Sequence, residues 1–168
     1  GWRAVMAVSL ALFAAGSIVP LAERVVPRRY PAQTRPALAD EFLQAAAATP
    51  DLPLSRIAAF VNNPETVLLK GRALYPRFYA AGEGEPLTAK TGYEKLDFPR
   101  TVLQIASNDY YGLVMLRAAL PPAYLPNAAD VMVAGCMGQG YLDAQAVLVL
   151  GQPGAFYLSD QGIPEDCP

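Results

Sequence analysis

The chain reads as mainly β: a small five- or six-stranded barrel preceded by two short helices and an N-terminal transmembrane helix. Three observations predict this. Residues 4–22 contain no charged side chain. Two short stretches between residues 37 and 61 place apolar residues at helical spacing. From Thr66 onward, short apolar runs rich in Val, Leu and Tyr are separated by Gly, Asn, Asp and Pro, the pattern of strands and turns.

The first element is AVMAVSLALFAAGSIVPLA, Ala4 to Ala22. As a helix it would be about 28 Å long, close to the ~30 Å thickness of bilayer hydrocarbon. Trp2 and Arg3 stand at one end and Glu23 and Arg24 at the other, as expected at the two interfaces. A secretory signal peptide and a buried helix are the competing readings; the first lacks a clean small-x-small site before the charged stretch, the second a polar face. The chain opens on Gly1 rather than Met, which fits a processed form or part of a longer protein. The expected divisions are residues 1–23 as membrane helix, 24–36 as a Pro/Arg linker, 37–63 as a helical neck and 64–168 as the barrel domain.

Pro27, Pro31 and Pro36 make the linker extended, and Arg28, Arg29 and Arg35 suit either lipid headgroups or simple solubility near the membrane. In the neck, Leu38, Phe42 and Ala45 recur on one face over residues 37–48. A second helix is expected over 52–61, capped by Asp51, with Pro53 in its first turn and Leu54, Ile57, Phe60 and Val61 as its apolar stripe.

The barrel strands are expected at 66–79, 100–107, 111–118, 130–137, 141–150 and 155–159. In the first, Val67, Leu69, Gly71, Ala73 and Tyr75 alternate with Lys70 and Arg72, which puts Tyr75 on the face shared with Leu69. A glycine inside so long a strand marks a sharp bend or a close backbone approach. Ser107, Asn108 and Asp109 join the second and third strands, and Gly138, Gln139 and Gly140 the next pair.

This order of bent long strand, hairpin, crossover and hairpin resembles the OB-fold, a five-stranded Greek-key barrel. The resemblance spans roughly residues 66–159 and rests on the strand order, Gly71, and the run Asp130-Val131-Met132-Val133-Ala134-Gly135. An SH3-like barrel or a small sandwich accommodates the same strands. The wording Gly71-Arg72-Ala73-Leu74-Tyr75-Pro76-Arg77-Phe78-Tyr79, an acidic glycine loop after it, Gly135-Cys136 and the terminal Cys167-Pro168 also resemble uncharacterised C-terminal domains of bacterial multi-pass membrane proteins. That likeness implies a tail domain on a larger membrane protein and brings no activity with it.

Composition narrows the function. There is no histidine, so the commonest general base and metal ligand at neutral pH is missing. No cofactor or metal motif stands out. Residues 1–63 carry six arginines against four acids, and residues 64–168 carry seven basic groups against eleven acids, a net −4 that opposes a phosphate backbone, so no nucleic acid is expected as partner. Glu83 and Glu85 could suggest paired carboxylates but lie on a Gly-rich turn without a rigid frame. Gly135, Gly138 and Gly140 lack the following helix that a phosphate loop requires. An enzyme is therefore the weaker expectation.

OB-folds bind oligonucleotides and oligosaccharides on one sheet face, and the candidate ligand-binding residues here are Arg72, Tyr75, Arg77 and Tyr79, with aromatic rings available for stacking. Cys136 and Cys167 are the only cysteines, and pairing them would tie the C-terminal tail to the fourth strand in an oxidising compartment. The arginines after the anchor favour the cytoplasmic side and a disulfide favours the other; the reading adopted is extracytoplasmic. The expected function is a membrane-anchored, non-enzymatic barrel domain mediating interactions within a membrane assembly, its partners the lipid bilayer and other membrane-protein segments. The alternative is an OB-like module binding a glycan or other extended ligand.

Overall fold

The computed structural model describes residues 34–83, 96–107, 111–118, 120, 122–138, 140–152 and 154–167. The expected membrane helix and most of the Pro/Arg linker lie outside these residues. Among the described residues no helix is long and apolar enough to cross a membrane.

Two helices come first, α1 (Thr34–Ala47) and α2 (Leu54–Asn62). The first begins three residues ahead of the expected start, because Pro36 falls in the opening turn, where a backbone N–H has no helical acceptor anyway. Arg35, expected in a solvated linker, instead donates from its guanidinium to the carbonyls of Val61, Asn63 and Thr66. It thereby satisfies carbonyls at the C-terminal end of α2, where a cation is favoured. Partial burial lowers its pKa from the ordinary arginine value. The expected cap at Asp51 is not used: the residue preceding α2 is Pro53, with no side-chain cap hydrogen bond, and Asp51 sits at a left-handed φ of 63°.

The strands are β1 (Val67–Tyr79), β2 (Arg100–Ala106), β3 (Tyr111–Leu116), β4 (Asp130–Met137), β5 (Leu142–Val149) and β6 (Phe156–Leu158), with a short 3-10 turn at Pro122–Tyr124 between β3 and β4. β1 pairs with β4 through residues 67–72 and with β2 through residues 72–79, all antiparallel. The change of partner occurs next to Gly71, where a Cβ would sit 2.4 Å from the Ala106 carbonyl oxygen. Only glycine permits the two strands to cross so closely. β3 then pairs in parallel with β5, Val114 against Leu142 and Leu116 against Ala144. The circuit β1-β2-β3-β5-β4-β1 is a closed five-strand mixed barrel, consistent with an OB-like fold, and closure excludes a two-sheet sandwich. β6 is an additional strand on β5.

Alternation along the strands separates two cores. Leu69, Ala73, Leu103, Ile105, Val114, Leu116, Val131, Val133, Val147 and Val149 belong to the core that fills the barrel. The opposite faces of β1, β4 and β5 supply Leu68, Met132, Ala134, Ala146 and Leu148 to a second core against Ala39, Phe42, Ala46, Ile57, Phe60 and Val61 of the helices. With both faces covered, β4 and β5 read as nearly continuous apolar runs.

Candidate functional site

The second half of β1 departs from simple alternation. Leu74 pairs with Gln104 and Arg77 with Val102, so three steps on β1 match two on β2. The extra residue is a bulge at Tyr75-Pro76, the position at which a strand tolerates proline. Tyr75 has φ 52°, unusual for a bulky side chain. Its amide is turned out of the ladder and donates to Asn127 Oδ1 at 2.8 Å. The expectation that Tyr75 shares a face with Leu69 is therefore corrected: its ring is 64% exposed.

Past the bulge, the register places Arg77 opposite Val102 and Tyr79 opposite Arg100, on the outer wall of β1-β2-β3. In OB-folds this is the ligand face, flanked by the loops after β1 and β4. Here one end of it is filled from within. Leu96 and Phe98, from the β1–β2 connection, pack with Tyr79, Val102, Leu113, Met115 and Tyr141. Tyr79 is only 7% exposed, with the Arg100 guanidinium 5.0 Å over its ring. Arg100 itself is 2% exposed and donates to the Glu83 carbonyl at 2.9 Å. Tyr79 Oη and Arg100 Nη1 have no hydrogen-bond partner among the described residues. Nearby, Arg117 lies 4.8 Å over Phe98, pairs with Asp143 at 3.1 Å and donates to Gln161 at 2.9 Å. Burial pushes the Asp143 carboxyl above its ordinary pKa, outweighing the opposing pull of Arg117.

The four candidate residues are thus divided. Tyr75, Arg77 and Tyr79 line one depression with Gln104 and Leu113, and its volume is about 20 Å³. Arg72 lies elsewhere, in an open recess with Lys70, Ser107 and Asp130, and pairs with Asp130 at 3.5 Å. What stays open at the unfilled end of the outer wall is Tyr75, Arg77, Gln104 and Tyr111, the last 53% exposed and donating to Gln104 Oε1 at 3.0 Å. Gln104 was not a candidate from the sequence; its place beside Tyr111 follows from the β2–β3 register.

Of the acidic loop, Glu83 accepts from the Ala80 amide at 2.8 Å as a turn residue, and Glu85 lies outside the described residues. Gly135 stands where a Cβ would meet the Asp143 carbonyl oxygen at 2.3 Å, a requirement of β4–β5 packing and not of an anion loop. No group of His, Cys, Asp or Glu suited to a metal occurs among the described residues. Cys136 and Cys167 lie at bonding distance, S–S 2.15 Å and Cα–Cα 5.4 Å, joining β4 to the tail. Comparison of the chain with protein families, curated proteins and solved structures finds no match in any of the three.

Proposed function

We propose that this chain is a membrane-tethered, non-enzymatic β-barrel domain that engages other proteins of a membrane assembly through the outer wall of β1-β2-β3. The observation that carries the reading is the small size of the depression described on that wall. The depression under Tyr75 and Arg77 has room for about one water molecule, not for a sugar ring or a base. A broad surface of exposed Tyr and Arg is the composition of protein-contact anchors. The left-handed Tyr75, held by Asn127, adds support, because strain of this kind costs about 1–3 kcal/mol and concentrates at functional sites. The tether rests on the nineteen uncharged residues from Ala4 to Ala22. An extracytoplasmic placement draws support from the two cysteines at bonding distance.

A second reading, stacking of an extended glycan on the exposed Tyr75 ring beside Arg77, keeps one observation in its favour, the 64% exposure of that ring. The two are separated with a photo-crosslinking amino acid at Tyr75 in the full chain in its own membranes. A discrete protein adduct that disappears with Arg77→Glu is expected. No protein adduct, together with glycan-array binding lost in Arg77→Ala, would replace the first reading by the second. Recovery of the full chain in the aqueous phase after carbonate extraction would overturn the tether.

A further inference from the structure

β6 is the one strand in the described sheet with a partner on a single side. The ladder geometry says which of its main-chain groups are left over. Val149 N donates to Ala155 O and Ser159 N to Gln145 O, both at 2.9 Å. In an antiparallel pair, hydrogen-bonded and non-bonded positions alternate, so the odd-numbered residues here face β5 and Phe156 and Leu158 turn their N–H and C=O groups away from it. Phe156 N is occupied by Gly154 O at 3.0 Å. The Phe156 carbonyl and both main-chain groups of Leu158 bond to nothing among the described residues.

These three groups border a recess of about 700 Å³, whose other wall is the β3–β4 crossover with Ala118, Leu120 and Tyr124. At one end Asp160 is exposed and forms no ion pair among the described residues, and on the far wall the Tyr124 ring is 57% exposed. The recess does not involve the β1-β2-β3 wall, so a ligand seated in it is independent of the proposed function.

We infer that this edge is a strand-addition site for an extended, basic segment of a partner polypeptide. The main-chain groups select the chemistry. A donor and two acceptors in strand register are met by another backbone, which a lipid or a sugar does not supply in that spacing. Charge selects the sequence. The carboxylate of Asp160 and the face of Tyr124 both favour a cation, and residues 64–168 carry net −4. The recess is of a size that holds small ligands, and it accepts short side chains on the alternate positions of the incoming strand.

The test uses the full chain with the capped peptide Val-Lys-Val-Lys-Val and its glutamate counterpart, read by amide hydrogen exchange and by affinity. The Leu158 amide is expected to exchange readily in the free protein and to slow at least tenfold with the lysine peptide. Leu158→Pro removes the outward donor without touching a β5–β6 bond and is expected to abolish binding, with a lowered thermal midpoint because the Leu158 side chain packs against the helix–sheet core. If that variant fails to fold, Asp160→Lys decides: it is expected to weaken the lysine peptide at least tenfold and to reverse the preference toward glutamate. Unchanged Leu158 exchange at saturating peptide, or equal affinity for both peptides, would overturn the proposal. So would a Leu158 amide already protected without peptide, whether by a segment of the same chain or, with concentration-dependent dimerisation, by a second copy.

Discussion

The two halves of the barrel wall are built from similar residues and treated oppositely. On β4 and β5 the outward residues Met132, Ala134, Ala146 and Leu148 are sealed beneath α1 and α2. On β1-β2-β3 past the bulge, Leu96 and Phe98 cover one end, and among the described residues Tyr75, Arg77 and Tyr111 remain exposed. An apolar outward face is therefore not itself a sign of binding in this molecule. The helical neck has absorbed one such face into the fold, whereas Tyr75, Arg77 and Tyr111 on the other stay exposed.

The comparison breaks if the sealed half can be emptied without cost. Phe42 is 0% exposed and meets Phe156 edge-on with ring centroids 5.8 Å apart. Phe42→Ala should therefore lose about 3–5 kcal/mol in urea unfolding through lost burial and the cavity left behind. Tyr111→Ala, on the open wall, should change stability by about 0.5 kcal/mol or less. Equal losses would mean that the open wall is structural too.

The tail sharpens the contrast, because it straps the sealed half. Cys167 bonds Cys136 beneath the helical layer, Asn63 Nδ2 donates to Asp166 Oδ1 at 3.0 Å, and Ile163 packs into the helix–sheet core. The bond spans 31 positions, a closure worth about 3–4 kcal/mol on the chain-entropy account. Cys167→Ser should lower stability by about that amount in oxidising buffer and by almost nothing in reductant. A variant as stable as the parent in both would show that the bond is not formed.

Arg35 is a smaller version of the same lesson. Its three carbonyl acceptors hold the start of α1 on the end of α2. Arg35→Gln should cost about 1–2 kcal/mol, the scale of hydrogen bonds to a partly exposed charged group. A chain that kept Arg35 only for lipid headgroups would show no change in thermal unfolding without lipid.

The sequence carries the fold wherever one residue decides a local geometry. Gly71 marks the point where β1 changes partner, and Asp130–Met137 is a strand over the residues expected, because β-branched runs, glycine and turn residues act within a few positions. The site was harder to read. One bulge residue inverts every later side chain on a strand, so Tyr75 moved outward and Tyr79, expected in the ligand set, went under Phe98 and Arg100. Pro76 inside a strand was the available signal. Arg100 gave none: a charged residue opening a strand looks solvent-facing until the β1–β2 register sets it over Tyr79. The capping role of Arg35 likewise depends on residues 26–31 positions away.

The smallest expected effect is the most discriminating. Tyr75 holds a left-handed backbone at φ 52°. Tyr75→Gly relieves about 1 kcal/mol of strain there and gives back about 0.5–1 kcal/mol through the greater freedom of glycine in the unfolded chain. The net change in unfolding free energy should be near zero. Tyr75→Val, β-branched and poorly suited to positive φ, should instead be destabilising by about 1–2 kcal/mol. If the bulge exists only to bend β1, Tyr75→Gly is harmless in every assay. If it exists to present the ring, Tyr75→Gly leaves stability alone and removes the contact made through Arg77, seen as loss of the adduct from a crosslinker moved to Tyr111. A stability loss of several kcal/mol in Tyr75→Gly would contradict both, since it would mean that the exposed ring packs on something in the folded protein.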